Sequence, residues 1–422
     1  MPGYRMTDPD RVAASYALAK ASFAAYGIDT DAAIAAFHTI PISLHNWQGD
    51  DVRGFEGITL AGENVVTGSY PGRARTASEL RQDIETAFSL SPCLHRVNLH
   101  SMYAEPVGKK ERNEYTAEDF SAWISWAVAH DWGMDFNASF FTHPMMDNGM
   151  SLASRKKEVR DYWVRAGINA REISEAFYRA TGKVCYNNIW VPDGMKDTPY
   201  NRALYRGFLT ESLDRILEQP REGVRDVLEG KLFGIGVESF TVGSHEFYLA
   251  YAASHKVGVC MDTGHYHPTE QAYDKLSAVV PFLPYALLHI SRGIRWDSDH
   301  VLIGADELEM LMREMKRGGY FAKVGMGLDY FDASINRVAA WVIGLRAFGR
   351  SLLAALLEPG ELLEAYEAAE DYTSRLALTD ELRNLPVSAV WDMLCLRAGV
   401  PVGADWLANV KAYERDVQAA RG

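Results

Sequence analysis

VGVCMDTGHYHP (257–268) is the stretch that decides the fold. Val257 to Met261 form a short apolar, β-branched run that stops at a carboxylate, Asp262, and Gly264 then permits a tight turn. A run of this kind, closed by a polar residue and followed by a helical stretch, recurs along the chain. It is seen in TIPISLH (39–45), HRVNLH (95–100), GMDFNAS (133–139), KVCYNNIW (183–190), VRDVLEGKLF (224–233), YALLHIS (285–291) and KVGMGLD (323–329). Between these runs, Ser154–Thr181 opens on a capping serine and ends before Gly182. Ser244–Lys256 and Asp306–Arg317 also begin with capping residues and carry apolar positions at helical spacing. Eight strands alternating with helices predict an α/β fold, a closed parallel (β/α)8 TIM barrel. A doubly wound sheet is the structural alternative, but no G-x-G-x-x-G follows any of the runs. Beyond about residue 335 the sequence is almost entirely helical, with WVIGLRAFGRSLLAALLEP (341–359) at its centre. The expected organisation is therefore a barrel with an N-terminal helical extension over 1–340. An additional C-terminal helical region over 341–422 would wrap the barrel or meet a second subunit.

Composition narrows the function. A formal charge of −13 over 422 residues argues against a nucleic-acid partner, because phosphate binding needs clustered Lys and Arg. It disfavours an anionic membrane surface for the same reason. Cys93, Cys185, Cys260 and Cys395 are scattered with no CxxC pair, as expected of reduced core cysteines in a cytosolic protein. The N-terminus MPGYRMTDPDRVAASYALAK carries charges throughout and lacks the apolar core of a signal peptide. No uninterrupted apolar run approaches the roughly 20 residues that span a bilayer. The expectation is a soluble, cytoplasmic protein with no nucleic-acid or membrane partner.

The chemistry sits at the ends of the runs. In a barrel these ends share one rim, which carries the catalytic loops. Read in order they are His45, His100, Asn137, Trp190, Glu229, Asp262, His289 and Asp329. Six imidazole or carboxylate groups from different strands, converging on one rim, match hard-to-borderline divalent cations such as Mn²⁺, Mg²⁺ or Zn²⁺. His265 follows Asp262 across the Gly264 turn and can fold back toward the same centre; His267, next to Pro268, is read as structural. Asp297 and Asp299 in SRGIRWDSDH (291–300) are two apart, so an extended loop lets both carboxylates face one ion. A solvated polar turn is the plainer reading of a lone D-x-D, and its place one loop after His289 favours metal. In LEGKLF (228–233) Glu229 and Lys231 fall on one face of a strand. Glu238 in GIGVESF is an alternative ligand that spacing does not separate from Glu229. Trp47, Trp132, Trp190, Trp296 and Phe136 lie near these ends, where aromatic faces suit a sugar, although core packing explains most tryptophans. No G-x-S-x-G elbow, Walker loop or zinc-finger spacing is present.

Long stretches carry a family resemblance. PISLHNWQGDDVRGFE (41–56), NIWVPDGMKD (188–197), KLFGIGVESFTVGSHEFY (231–248), DTGHYHPTE (262–270), RWDSDHV (295–301) and GLDYFDASINRVAAWVIG (327–344) closely resemble the bacterial L-rhamnose isomerases. These are xylose-isomerase-like, metal-dependent sugar isomerases that convert L-rhamnose to L-rhamnulose. The similarity runs from about Leu18 to the C-terminal YERDVQAARG. It implies a (β/α)8 barrel with extra helices, a homotetramer, and two divalent ions. Carried over by motif, a structural site (Zn²⁺ or Mn²⁺) takes Glu229, Asp262, His289 and Asp329. A catalytic Mn²⁺ takes His265, Asp297 and Asp299, with Asp262 or Glu229 close by. Lys231 matches the lysine beside the reacting oxygens, His100 a histidine linked to ring opening or sugar positioning, and Trp190 a pocket wall. Trp47 and Phe136 join it as expected substrate contacts, and Asp329 or a metal-bound hydroxide is the candidate base. The first dozen residues and the compressed segment Glu56 to Gly68 depart from the family pattern without touching a ligand.

Such chemistry moves one hydrogen between C2 and C1 of an aldose, as a hydride between polarised oxygens or as a proton through an enediol. Competing classes are an isomerase of another aldose, a metal-dependent endonuclease on a similar barrel, and a non-catalytic sugar-binding protein. The net charge and the absence of a basic, aromatic-studded stripe count against the nuclease.

Overall fold

The computed structural model describes residues 7–57, 68–232, 239–294 and 296–421, with the backbone alone for residues 296–298. Its strands are β1 (Pro41–His45), β2 (Leu94–His100), β3 (Gly133–Asn137), β4 (Cys185–Trp190), β5 (Gly194–Met195) and β6 (Val224–Glu229). They continue as β7 (Phe240–Thr241), β8 (Gly258–Asp262), β9 (Ala286–Ile290), β10 (Arg292–Ile294), β11 (Trp296–His300) and β12 (Val324–Leu328). Eight of them, β1, β2, β3, β4, β6, β8, β9 and β12, close into an all-parallel barrel, β12 pairing with β1. These are the eight runs read from the sequence. The short pairs β5/β7 and β10/β11 are antiparallel and belong to the loops above the rim.

Period-two alternation fills the barrel. Tyr186, Val227, Cys260 and Leu287 pack together as an apolar plug. Two residues further along β6, β8 and β9, the same inward face carries Glu229, Asp262 and His289. Arg96 and Asp135 form an ion pair at 2.7 Å on adjacent strands. The other strand face meets the helices: Phe136 points outward, its ring edge-on to Phe120 and Phe177.

Lys157–Thr181 is a long outer helix that ends at Gly182 in the left-handed region, φ 68°, as its glycine foretells. Its start lies later than the capping serine implies. Ser154 accepts from the Lys156 N–H and so builds a turn ahead of the helix. Ser244 does cap His245–His255, accepting from the Phe247 N–H. Asp306 lies inside the first turn of its helix with Glu307 and Glu309, where carboxylates favour the positive end of the dipole; Ala305 holds the cap position.

The helix Arg337–Leu356 runs through the boundary expected between residues 340 and 341. Trp341, Leu345, Phe348 and Leu352 on it are buried, and it packs on the outer helices Ala77–Phe88 and Asp306–Arg317. It is long and apolar enough to cross a membrane by composition, yet most of it is buried inside the fold, as a core helix would be. The later helices return to the barrel. Arg421 pairs with buried Asp83 at 2.7 Å, and Val387–Arg397 packs on Pro9–Ala24.

Candidate metal centre at the barrel rim

Parallel strands bring their carboxyl ends to one rim, so inward residues at those ends meet even when far apart in sequence. Glu229, Asp262, His289 and Asp329 are all buried there, and their ligand atoms lie within 4.8 Å of one another. His289 Nδ1 sits 3.2 Å from Glu229 Oε2 and 3.1 Å from Asp329 Oδ2. Asp262, His265 and Asp299 form a second group of the same tightness. His265 Nδ1 is 3.1 Å from Glu229 Oε1, and its Nε2 is 3.7 Å from Asp262 Oδ2. Asp262 thus belongs to both groups, and Glu229 reaches toward each.

Local backbone explains this placement. The Gly264 N–H donates to Asp262 Oδ1 at 2.7 Å, tightening the turn that returns His265. Gly264 is needed there for space: a Cβ would lie 3.0 Å from Ser291 Oγ and 3.3 Å from Asp262 Oδ1. Asp299 adopts a left-handed φ of 39° in the β10/β11 hairpin, a strained conformation that residues at functional sites often hold.

Burial of so many charged groups has an electrostatic signature. For Glu229 burial disfavours the carboxylate, but the imidazoles of His289 and His265 outweigh it and hold its pKa well below the usual range. Burial pushes Asp262 up to about 7, with Glu229 and Asp329 adding to it and His265 opposing. Asp329 is raised, again chiefly by burial. His265 rises to about 9 although burial alone would lower it, because Asp262 and Glu229 face it. Three buried carboxylates on one pair of imidazoles are costly without further positive charge. His289 Nδ1 and Nε2 and Asp329 Oδ1 are buried with no hydrogen bond among the described residues. Orphaned buried donor atoms in a carboxylate-and-imidazole set fit a divalent cation.

Around this centre lie most of the other expected site residues. His100 stacks on Trp47, ring centroids 3.9 Å apart, and its Nδ1 lies 3.2 Å from Asn46 Oδ1. Lys231 Nζ stands 5.2 Å from the Trp190 ring centroid. Lys231 follows the end of β6 at Glu229, so the pair does not share a strand; a Cβ at Gly230 would lie 2.7 Å from His245 Nδ1, which marks a close approach of the chain there. His267 is exposed, its Nδ1 2.8 Å from Thr269 Oγ1, in keeping with a structural role. Two aromatic expectations fail. Phe136 lies between strand and helix, because its neighbour Asn137 takes the inward face. Trp132 precedes β3 and packs on Phe88 and Trp126 at the opposite end of the barrel. The side chains of Asp297 and Trp296, and the whole of Glu238, lie outside the described residues.

Sequence reading gave too little weight to three groups. His45 ends β1 with Nδ1 3.3 Å from Asp329 Oδ1 and forms a third tight group with His289 and Asp329. Asn188 donates to Glu229 Oε2. Cys260 lies one inward position below Asp262 and joins Glu229 and His289 in a group of its own. Each was findable: His45 as a strand end, the other two by counting back two residues from an inward position.

The geometry can be set beside known proteins. The family model for L-rhamnose isomerase (RhaA) matches residues 10–421. An L-rhamnose isomerase of Rhodopirellula baltica is 49% identical over 411 residues, covering 96% of each chain. One of Listeria innocua is 46% identical over 420 residues, covering 99% of this chain and all of its own. Among solved structures an L-ribulose 3-epimerase aligns with TM-score 0.46 at 10% identity, over 74% of this chain and 95% of its own. So loose a likeness supports no functional reading.

Proposed function

We infer the activity from one premise: the chain belongs to the L-rhamnose isomerase family. As a member it is an aldose–ketose isomerase that interconverts L-rhamnose and L-rhamnulose. The observation that carries the reading to this chain's own residues is the pair of ligand groups, one fully buried and one partly so, that share Asp262 at the barrel rim. Glu229, Asp262, His289 and Asp329 would hold a structural divalent ion, Zn²⁺ or Mn²⁺. His265, Asp297 and Asp299, with Asp262 beside them, would hold a catalytic Mn²⁺. When bound, such ions supply Lewis-acid charge to the oxygens on C1 and C2 of the sugar.

The protein's own groups do the rest. With Asn46 Oδ1 accepting, His100 donates from Nδ1, which leaves Nε2 as the acceptor for a sugar hydroxyl or the ring-opening proton. Its stacking on Trp47 fixes the ring plane, so the acceptor direction is set before substrate arrives. Lys231 places an ammonium over Trp190, where it stabilises negative charge growing on a substrate oxygen. Trp190 and Trp47 present flat apolar faces to the sugar. We assign the hydrogen moving between C2 and C1 to a hydride; Asp329 is the candidate base of the rival proton route through an enediol.

Outside the site, the chain is read as a cytoplasmic homotetramer in which the helices after Leu356 contribute subunit contacts. The test of substrate class is direct: incubate the metal-loaded protein with L-rhamnose, a panel of other aldoses and an abasic-site oligonucleotide. Ketose from L-rhamnose at the highest kcat/KM is expected. Preferred turnover of another aldose, or cleavage of the oligonucleotide, would replace the reading.

A further inference from the structure

His45 stands among the metal ligands by distance, yet its hydrogen bonds place it outside the set. It ends β1 fully buried, edge-on to His289 with ring centroids 4.6 Å apart. Its Nδ1 lies 3.3 Å from Asp329 Oδ1, and with His289 and Asp329 it makes a group tight enough to hold an ion. The other ring nitrogen decides its role. Asn98 is the register partner of His45 on β2, and Asn98 Nδ2 lies 3.1 Å from His45 Nε2. On its far side Asn98 Oδ1 accepts from Asn137 Nδ2. An amide whose oxygen is taken on one side turns its NH₂ to the other, and an NH₂ only donates. His45 Nε2 is therefore the acceptor, and the neutral imidazole carries its proton on Nδ1. A protonated nitrogen has no lone pair for a cation.

We propose that His45 is a positioning residue: Asn137 and Asn98 fix its tautomer, and its Nδ1–H holds Asp329 by the carboxylate oxygen that faces away from His289. This rests on the reading of Asp329 as a ligand of the structural ion. The two oxygens of Asp329 are divided between the two histidines, Oδ2 toward His289 at 3.1 Å and Oδ1 toward His45 at 3.3 Å. Among the described residues neither contact is aligned as a hydrogen bond; the χ2 torsion of a carboxylate is soft, so reorienting it toward the His45 Nδ1–H costs little. The Trp341 indole N–H donates to the His45 carbonyl at 3.1 Å, anchoring the backbone from which the ring projects. Orienting partners of this kind carry much of a site's affinity, since they decide where the lone pairs of the ligand point.

The test is site-resolved Mn²⁺ binding to the full-length, metal-stripped protein at pH 8. Equilibrium dialysis with elemental analysis gives two binding steps, assigned by the loss of one in Asp329→Asn and of the other in Asp299→Asn. His45→Leu is expected to weaken the Asp329 step by about 10- to 100-fold and to leave the Asp299 step in place. His45→Gln should recover most of the loss, because its amide can accept from Asn98 and donate to Asp329. Asn98→Asp sets charge against geometry. The added negative charge alone would tighten cation binding, whereas an acceptor at this position drives the His45 proton to Nε2 and aims a lone pair at Asp329. Weakening at the Asp329 step is expected; tightening would overturn the proposal, as would equal loss at both steps with no recovery by Gln. Neutron diffraction on the wild-type protein needs no variant to fold: a hydrogen on His45 Nδ1 is required, and one on Nε2 alone refutes it. If Asp329→Asn abolishes neither step while that hydrogen is on Nδ1, the ligand reading of Asp329 fails and the tautomer stands.

Discussion

Asp50, five residues past His45, is a buried carboxylate whose removal should make the protein more stable at alkaline pH. The Tyr103 hydroxyl donates to its Oδ1 at 2.6 Å and the Gly54 N–H to its Oδ2 at 2.7 Å. Burial nevertheless pushes its pKa up to about 7; the two hydrogen bonds and Arg73 only partly offset it, and Asp51 adds to it. In the unfolded chain the group titrates near its model value of 3.8. Between these values the folded state keeps a proton that the unfolded state has released, so stability falls as pH rises. The contribution is fully present below about pH 4 and lost as pH passes about 7. A difference of about three pKa units, at 1.36 kcal/mol per unit, amounts to roughly 4 kcal/mol. Asp50→Asn keeps the shape: the amide oxygen accepts from Gly54 and the NH₂ donates to the tyrosine oxygen, which can turn its own proton away. Urea unfolding of both proteins in EDTA, in steps from pH 4.5 to pH 8, makes titrations shared by the two cancel in the difference. The stability of Asp50→Asn relative to wild type should climb by several kcal/mol across that range. A difference that stays flat or declines with pH would show that Asp50 does not keep its proton in the folded state.

Further outcomes follow from the site. His265→Asn and Asp299→Asn should lose activity by orders of magnitude with the melting temperature preserved, whereas Glu229→Gln and Asp329→Asn should also lower it, since that group ties β6, β8, β9 and β12 together; four indistinguishable melting curves would break the division into two sites. In D₂O, run to partial conversion, L-rhamnulose should carry little deuterium at C1 by NMR, and Lys231→Ala should slow hydrogen transfer far more than it weakens sugar binding; near-stoichiometric label would replace hydride transfer by a proton route. Trp47→Ala should lower kcat more than it raises KM, because it frees the His100 ring; a pure KM effect would make Trp47 only a binding wall.

The barrel was legible because each of its strands is short, apolar and punctuated, and because Asp262, His289 and Glu229 announce themselves as ionisable residues at strand ends. Side-chain parity was harder to read. In GMDFNAS every residue of β3 is buried, so hydrophobicity does not alternate, and nothing in the run says that Asn137 faces the barrel while Phe136 faces the helices. The Asn98–Asn137 pair escaped notice for a related reason: a buried amide carries no charge, and its value lies in which neighbour occupies its oxygen. His45 was visible as a strand end, but its part depends on a proton, which only the partner of its second nitrogen reveals. Boundaries were the least readable feature. Ser154 had a better use in a turn than as a cap, and the helix Arg337–Leu356 carries the barrel's outer packing straight through the expected junction at 340.

The proposed activity requires that this rim bind divalent metal and that the bound metal take part in isomerising L-rhamnose. It is tested by stripping the purified protein with EDTA, confirming metal loss by mass spectrometry, and measuring L-rhamnulose formation before and after adding back Mn²⁺, Zn²⁺ or Mg²⁺. Activity should vanish on stripping and return, most strongly with Mn²⁺. Full activity in protein shown to be free of metal would overturn the assignment of a catalytic metal to this rim.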